Sequence, residues 1–221
     1  MKNFLKILSW YLFKLITNRW FLKQVNLTAK QRKKIICSGD PVRYGTIQLA
    51  IKEIKSLVGD IAECGVYKGQ LSRFLHEELP QRELHLFDTF NGFDTRDLDG
   101  NIDNRFKDTS AESVYKYVVK NSLCLQNVFI HKGYFPETTI GLEDKKFALV
   151  IIDFDKGKPS MAALNFFYSR MVKGGYIFVH DYNNPESDYA CYITLCLFLK
   201  DKPEKLISIP DTWGSAVFRK I

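Results

Sequence analysis

From about residue 45 onward, hydrophobic and polar positions alternate along the chain in two different periods. A period near 3.6 residues predicts helices in "TIQLAIKEIKSLV", "GQLSRFLHEEL", "SAESVYKYVVKN", "SMAALNFFYSRM" and "YACYITLCLFL". Short runs of β-branched and aromatic residues predict strands in "DIAEC", "ELHLFD", "NVFIHK", "FALVIID", "GYIFVHD", "KLISIP" and "SAVFRK". "FALVII" and "YIFV" are apolar at nearly every position, as strands covered on both faces are. Five strands interspersed with helices predict a parallel sheet with right-handed crossovers. The last two strands are separated only by a turn at "DTWG", so one of them must run antiparallel. The expected class is α/β: a Rossmann-like sheet of seven strands, mostly parallel, with an antiparallel strand at the C-terminal end. Repeats and low-complexity segments are lacking.

The first residues follow another pattern. In "MKNFLKILSWYLFKLITNRWFLK" a rotation of 100° per residue gathers Phe4, Leu5, Ile7, Leu8, Tyr11, Leu12, Leu15 and Ile16 on one face. Lys2, Asn3, Lys6, Ser9, Lys14 and Thr17 fall on the other. This predicts a basic amphipathic helix. Its longest uncharged run, Ile7 to Phe13, is too short to span a bilayer, and "LITNRWFLK" offers no small-residue cleavage site. Two readings stay open for residues 2–23: packing on the body or across a homodimer interface, or lying on an anionic membrane surface. The expected organisation is an arm over 1–40 and a catalytic-type domain over 41–221.

Charge sharpens that division. The net charge is +7, and residues 1–39 carry nine Lys or Arg and no acid. The remainder is close to neutral, so the body is not a polyanion binder and no nucleic-acid partner is expected. The five cysteines, Cys37, Cys64, Cys124, Cys191 and Cys196, are odd in number and lack CxxC spacing. That pattern suits a reduced, cytoplasmic protein and no zinc ribbon.

The stretch "GDIAECGVYKG" carries the candidate chemistry. Glu63 lies inside an apolar run, and Gly65 and Gly69 follow it at the end of the first strand. Ligands of such sheets bind at the carboxyl ends of the strands. The spacing is E-x-G-x-x-x-G, not the G-x-G-x-x-G of dinucleotide binding. Asp88 ends the second strand, where an acid can take the hydroxyls of a ribose. Two carboxylates without a phosphate-binding lysine suit a cationic nucleoside, of which S-adenosylmethionine is one.

Six blocks in order, "GDIAECGVYKG", "LHLFDTFNGFD", "KGYFPET", "FALVIIDFD", "KGGYIFVHDYN" and "PDTWGSAVFRK", resemble the macrocin O-methyltransferase family. Its members are S-adenosylmethionine-dependent enzymes that methylate sugar hydroxyls. The resemblance implies that Glu63, Gly65 and Gly69 line the methionine end of the cofactor. It implies that Asp88 holds the ribose, with Thr89 and Phe90 beside it. It also implies a divalent metal, magnesium or manganese, on Asp153, His180 and Asp181, with Asp155 close to the reacting hydroxyl.

Two departures bear on that reading. His180 stands where the founding members have Asp; it could be a metal ligand, a general base or a hydrogen-bonding residue. The family's Asp-x-Asp-Leu-Tyr becomes "DFDKGKP", which sets Lys156 beside the acids. That charge could displace the metal or receive an acidic substrate.

Other features carry less. Residues 91–109 are expected to form a solvated, mobile lid, and "TRDLDG" fails as a calcium loop at its first and twelfth positions. His76, His85 and His131 are isolated in sequence and expected to be structural. The aromatic run in "LNFFYSRM" is expected in the core, and Tyr182 either touches substrate or closes the sheet edge. The leading expectation is methylation of a sugar hydroxyl in a polysaccharide, glycolipid or sugar-containing metabolite, in the cytoplasm or at the inner face of the membrane. The alternatives are a metal-independent O-methyltransferase with His180 as base, and a non-catalytic binding protein on the same fold.

Overall fold

The computed structural model describes Leu12 and residues 26–221. The amphipathic helix expected over residues 2–23 lies outside the described residues, apart from Leu12. Two compact units divide the chain, 1–49 and 50–221.

In the first unit, helix α1 (Ala29–Cys37) starts at a capping box: the Thr28 side chain accepts from the Gln31 backbone N–H, and Gln31 accepts from that of Thr28. Asp40 opens the next helix, α2 (Pro41–Glu53), by accepting from the Val42 and Arg43 N–H groups. The expected boundary at residue 40 falls between these helices, whereas the division between units falls within α2.

The second unit is built on a sheet of seven strands: β1 (Asp60–Cys64), β2 (Leu84–Asp88), β3 (Val128–Lys132), β4 (Phe147–Ile152), β5 (Met171–Val179), β6 (Leu206–Ile209) and β7 (Ser215–Arg219). Their order is β3-β2-β1-β4-β5-β7-β6. The first five are mutually parallel, and β7 runs antiparallel to both β5 and β6. Strand order reverses between β1 and β4, which makes their carboxyl ends the ligand-binding crevice of such a sheet. Helices α3 (Gln70–Glu78), α4 (Ala111–Val118), α5 (Gly157–Tyr168) and α6 (Ala190–Leu199) connect the strands. One connection departs from the alternation of strand and helix. Between β3 and β4 the chain crosses through residues 133–146 with only a short 3₁₀ turn, Glu137–Thr139. These two strands are not neighbours, and a connection of that length reaches from the sheet edge to its middle without a helix.

The pleat sends alternate side chains to opposite faces. Ala62 and Cys64 join Val150, Ile152, Ile177 and Val179 in a core closed by Ala163, Leu164 and Phe167 of α5 and Cys191, Leu195 and Phe198 of α6. Phe167 stacks at right angles on Phe147 with ring centres 4.9 Å apart, so "LNFFYSRM" does contribute to the core. Glu63 points to the other face, towards α3.

Candidate active site

Five loops meet at the carboxyl edge of the parallel strands, and in each a residue other than glycine is held at positive φ. They are Tyr67 after β1, Phe90 after β2, Asp155 after β4, Asp181 after β5, and Trp213 ahead of β7. Asp tolerates that region through local hydrogen bonds, whereas the aromatic residues are there at a cost. Such positions collect where a fold holds functional groups against local preference.

The loop after β1 is shaped by its glycines. Gly65 has φ +84°, and a Cβ there would lie 2.0 Å from the Asp153 carbonyl oxygen. The glycine therefore lets the β1 loop press directly against the chain leaving β4. Gly69, at φ +74°, precedes α3, and a Cβ on it would meet Val114 of α4 at 2.9 Å. Its role in the fold is close packing under α4.

Glu63 is buried, and its Oε2 accepts from Ser72 Oγ at 2.5 Å. Asp88 ties the first two strand ends together. Its Oδ2 accepts from the backbone N–H groups of Val66 (2.7 Å) and Tyr67 (2.9 Å), and its Oδ1 accepts from that of Phe90 (2.7 Å). These three amides take most of the about four lone-pair sites of the carboxylate, and the Thr89 hydroxyl lies 3.5 Å from Oδ1. Thr89 donates its hydroxyl to the Gly92 carbonyl, and Phe90 is buried beside Asp88.

Asp153, His180 and Asp181, from the ends of β4 and β5, bring three donor atoms within 4.8 Å of one another. His180 Nε2 lies 3.0 Å from the Thr212 carbonyl, which can only accept, so that nitrogen carries a proton. Its Nδ1 faces Asp153 Oδ1 at 3.0 Å and Asp181 Oδ2 at 3.2 Å. Asn184 Nδ2 donates to Asp181 Oδ1 at 2.8 Å and fixes that carboxylate. Asp155 completes the cluster. Burial, the charges of Asp181 and Asp153, and a hydrogen bond to Asp181 push its carboxyl up to about 8, against the opposing pull of Arg105.

These features fit a divalent cation. Burial and the charges of Asp181 and Asp153 disfavour the ionised form of Asp155, which shows a local deficit of positive charge. An imidazole whose other nitrogen donates to a backbone carbonyl is the arrangement that orients a metal-binding histidine. The mixed nitrogen and oxygen set suits manganese, zinc or iron better than magnesium.

Lys156 does not turn inward. Its Nζ lies 3.6 Å from Asp103 and 4.4 Å from the centre of the Phe93 ring. The charge that could have displaced a metal is thus directed to the segment 91–109. That segment is tied down at several points. Asp108 accepts from Tyr67 Oη (2.8 Å) and Lys68 Nζ (2.6 Å). Lys158 Nζ donates to Asp99 at 2.6 Å, and Tyr134 Oη donates to Asp97 at 2.8 Å. Ser72, Arg105, Asn184 and Thr212 escaped the sequence reading: Thr212 and Arg105 reach His180 and Asp155 across the fold, and Ser72 and Asn184 meet Glu63 and Asp181 only once helix and turn are formed. Tyr182 is buried with its ring 5.2 Å from that of Tyr192, consistent with closing the sheet edge.

Similar solved structures share this fold. The O-methyltransferase NovP aligns with a TM-score of 0.68 at 21% identity, covering 81% of this chain and 80% of its own. CalS11, a calicheamicin methyltransferase, aligns at 0.63 and 19% identity, with 93% and 91% covered. A structure from Klebsiella pneumoniae aligns at 0.60 and 12% identity, with 94% and 95% covered. No curated protein sequence matches the chain significantly. The family model for macrocin-O-methyltransferase matches residues 42–195, more than half of the chain. With a sheet order, a glycine turn and a set of strand-end acids that suit it, the chain belongs to the macrocin O-methyltransferase (TylF) family, whose methyl donor is S-adenosylmethionine.

Proposed function

We propose that this protein transfers a methyl group from S-adenosylmethionine to a hydroxyl of a sugar-containing acceptor, with a divalent cation held by Asp153, His180 and Asp181. The observation that carries this reading is the contact between the Gly65 turn and the Asp153 backbone. It sets the loop assigned to the cofactor directly beside the acid cluster assigned to the acceptor. Transfer needs both in one place, since positioning supplies much of the rate.

In the reaction a carbon–sulfur bond of the sulfonium breaks, an oxygen–carbon bond forms, and the hydroxyl proton must be removed. Asp155 is the residue assigned to take that proton, from its place beside Asp153 and Asp181. A carboxyl raised towards neutrality is well matched to that task. A cation on the three ligands would lower the hydroxyl pKa and supply the missing positive charge. Asn184 and the Thr212 carbonyl hold Asp181 and His180 in orientation. Glu63, Gly65 and Gly69 are assigned to the methionine end of the donor, and Asp88, Thr89 and Phe90 to its ribose. The net negative cluster favours a cationic donor over a neutral one.

The sugar class draws on the family and on a similar fold described as a TDP-rhamnose 3'-O-methyltransferase, 17% identical with a TM-score of 0.58. Polymer-bound, lipid-linked and nucleotide-activated sugars all belong to that class. No helix among the described residues is long and apolar enough to cross a membrane. The proposed setting is the cytoplasm, and the proposed partner of the basic sequence at residues 2–23 is an anionic membrane surface or a second copy.

Calorimetric titration with S-adenosylmethionine, followed by methyl transfer to a panel of nucleotide sugars with and without EDTA, tests this. Saturable donor binding and EDTA-sensitive turnover restored by manganese support it in full. EDTA-insensitive turnover would remove the metal from the reading. Folded protein that does not bind the donor would remove the enzyme and favour the binding-protein alternative.

A further inference from the structure

The amino ends of the same strands hold a second cluster, at the edge of the sheet opposite the proposed active site. Asp60 opens β1, Glu83 precedes β2, and His85 is the second residue of β2. One donor atom from each lies within 4.8 Å of the others. His85 is 1% exposed. Its Nε2 has no hydrogen-bond partner, although it is aimed at two carboxylates, 3.4 Å from Glu83 Oε2 and 3.7 Å from Asp60 Oδ2. An orphaned buried nitrogen of that kind calls for a ligand.

The rest of the ring is already in use. His85 Nδ1 lies 3.0 Å from His131 Nε2, close enough for a hydrogen bond. Stacking on Phe129 and His131, and edge contact with Phe147, fix the plane of the imidazole. Without a cation, a proton on Nε2 is drawn to Asp60; in the tautomer that donates its Nδ1 proton to His131, Nε2 presents its lone pair to an incoming cation. That is again the arrangement of a metal-binding histidine with a supporting partner.

Lys145 sits between the acids, with Nζ 3.2 Å from Asp60 Oδ2 and in contact with Glu83 Oε2. It neutralises one of two negative charges and leaves His85 Nε2 unsatisfied. The Lys145 side chain is about one-third exposed, so it has a route to solvent. Arg82 donates its N–H groups to the carbonyls of Ile54, Leu57 and Gly59, and its charge reaches Asp60 through space without a direct ion pair.

We propose that Asp60, Glu83 and His85 form a second divalent-metal site, of the zinc class, in which Lys145 occupies the cation position until the metal displaces it. Two carboxylates and a neutral imidazole balance the charge of one divalent ion. The imidazole favours zinc or a similar transition metal over magnesium or calcium. Such an ion would pin the starts of β1 and β2 together, which is a structural role separate from methyl transfer.

The test uses the full chain without a histidine tag, carrying Asp153→Ala and Asp181→Ala to disable the other cluster. Zinc chloride is titrated calorimetrically, and cobalt substitution is followed by its visible absorption. The expected result is about one equivalent of zinc bound, a rise in Tm with zinc but not with magnesium, and loss of binding in His85→Gln. Glu83 is partly exposed, so Glu83→Gln provides a variant that keeps the fold and is expected to weaken binding at least about tenfold. Lys145→Gln is expected to tighten it by a similar factor. Absence of zinc binding, binding unaffected by His85→Gln and Glu83→Gln, or weaker binding in Lys145→Gln overturns the proposal.

Discussion

The Asp153 carbonyl oxygen lies 2.0 Å from the point that a Cβ on Gly65 would occupy. The turn after β1 and the start of the acid cluster are therefore a single packed unit, and a side chain of any size at residue 65 must push them apart. Gly65→Ala combines left-handed φ with a backbone clash. It should cost about 2–4 kcal/mol of stability and reduce donor binding as well as turnover. Chemical denaturation paired with calorimetry checks both.

Asp155 is assigned to proton removal and is not one of the three metal ligands. Asp155→Asn should lower kcat by about 10²–10⁴-fold while S-adenosylmethionine still binds with nearly unchanged affinity. Single-turnover kinetics with a responsive acceptor would show this. A loss confined to donor affinity would move Asp155 out of the proton-transfer role.

Glu63 is buried beneath α3 and takes a hydrogen bond from Ser72. Ser72→Ala removes that donor from a buried carboxylate and should destabilise the fold by about 1–3 kcal/mol. Because Glu63 is assigned to the methionine end of the cofactor, donor affinity should fall in the same variant. Urea midpoints and donor titration measure the two effects separately.

Lys156 joins the start of α5 to the 91–109 segment through Asp103 and Phe93. Its ion pair is partly exposed, so Lys156→Leu should change stability by less than about 1 kcal/mol. The local effect should be larger: faster amide hydrogen exchange over residues 93–106 and a raised KM for the acceptor. Unchanged exchange would show that the segment is held by its other ties alone.

Glu204 provides a pH test away from the active site. Burial alone would raise its carboxyl, but the Lys220 ammonium at 2.8 Å and the Tyr168 hydroxyl outweigh that and hold it at about 2. Its folded pKa is depressed below its unfolded value of 4.5, so the stabilisation is full above that value. It is lost as pH falls through about 2. Roughly 3 kcal/mol should disappear across that window. Comparing Glu204→Gln with the unaltered protein from pH 6 to pH 2 should show their stabilities converging under acid.

The chemistry read from single residues needed tertiary partners to acquire meaning. Lys156 looked able to neutralise the acids because it follows Asp155 directly in the chain. In the fold its side chain turns to Asp103, a residue 53 positions earlier, and spares the cluster. Residues 91–109 read as solvated because they are polar, yet Tyr67, Tyr134 and Lys158 meet them at defined points. Polarity reports the ability to pair as much as the tendency to be wet. His85 and His131 looked isolated because 46 residues separate them. The pairing of β2 with β3 removes that separation.

What the sequence determined by itself was local and periodic. Seven strands, their apolar faces and the turn between the last two could be read because backbone pleat and helical pitch impose their periods on neighbouring residues. The family blocks were equally legible, since each is a contiguous stretch bound to one strand end. Tertiary structure alone decided which strand ends meet. The placement of β4 beside both β1 and β5 brings Asp153 against Gly65 on one side and against His180 and Asp181 on the other. The same placement lets Asp155 feel two neighbouring carboxylates and rise towards neutrality. Electrostatic coupling depends on distance through space, and distance along the chain carries little information about it.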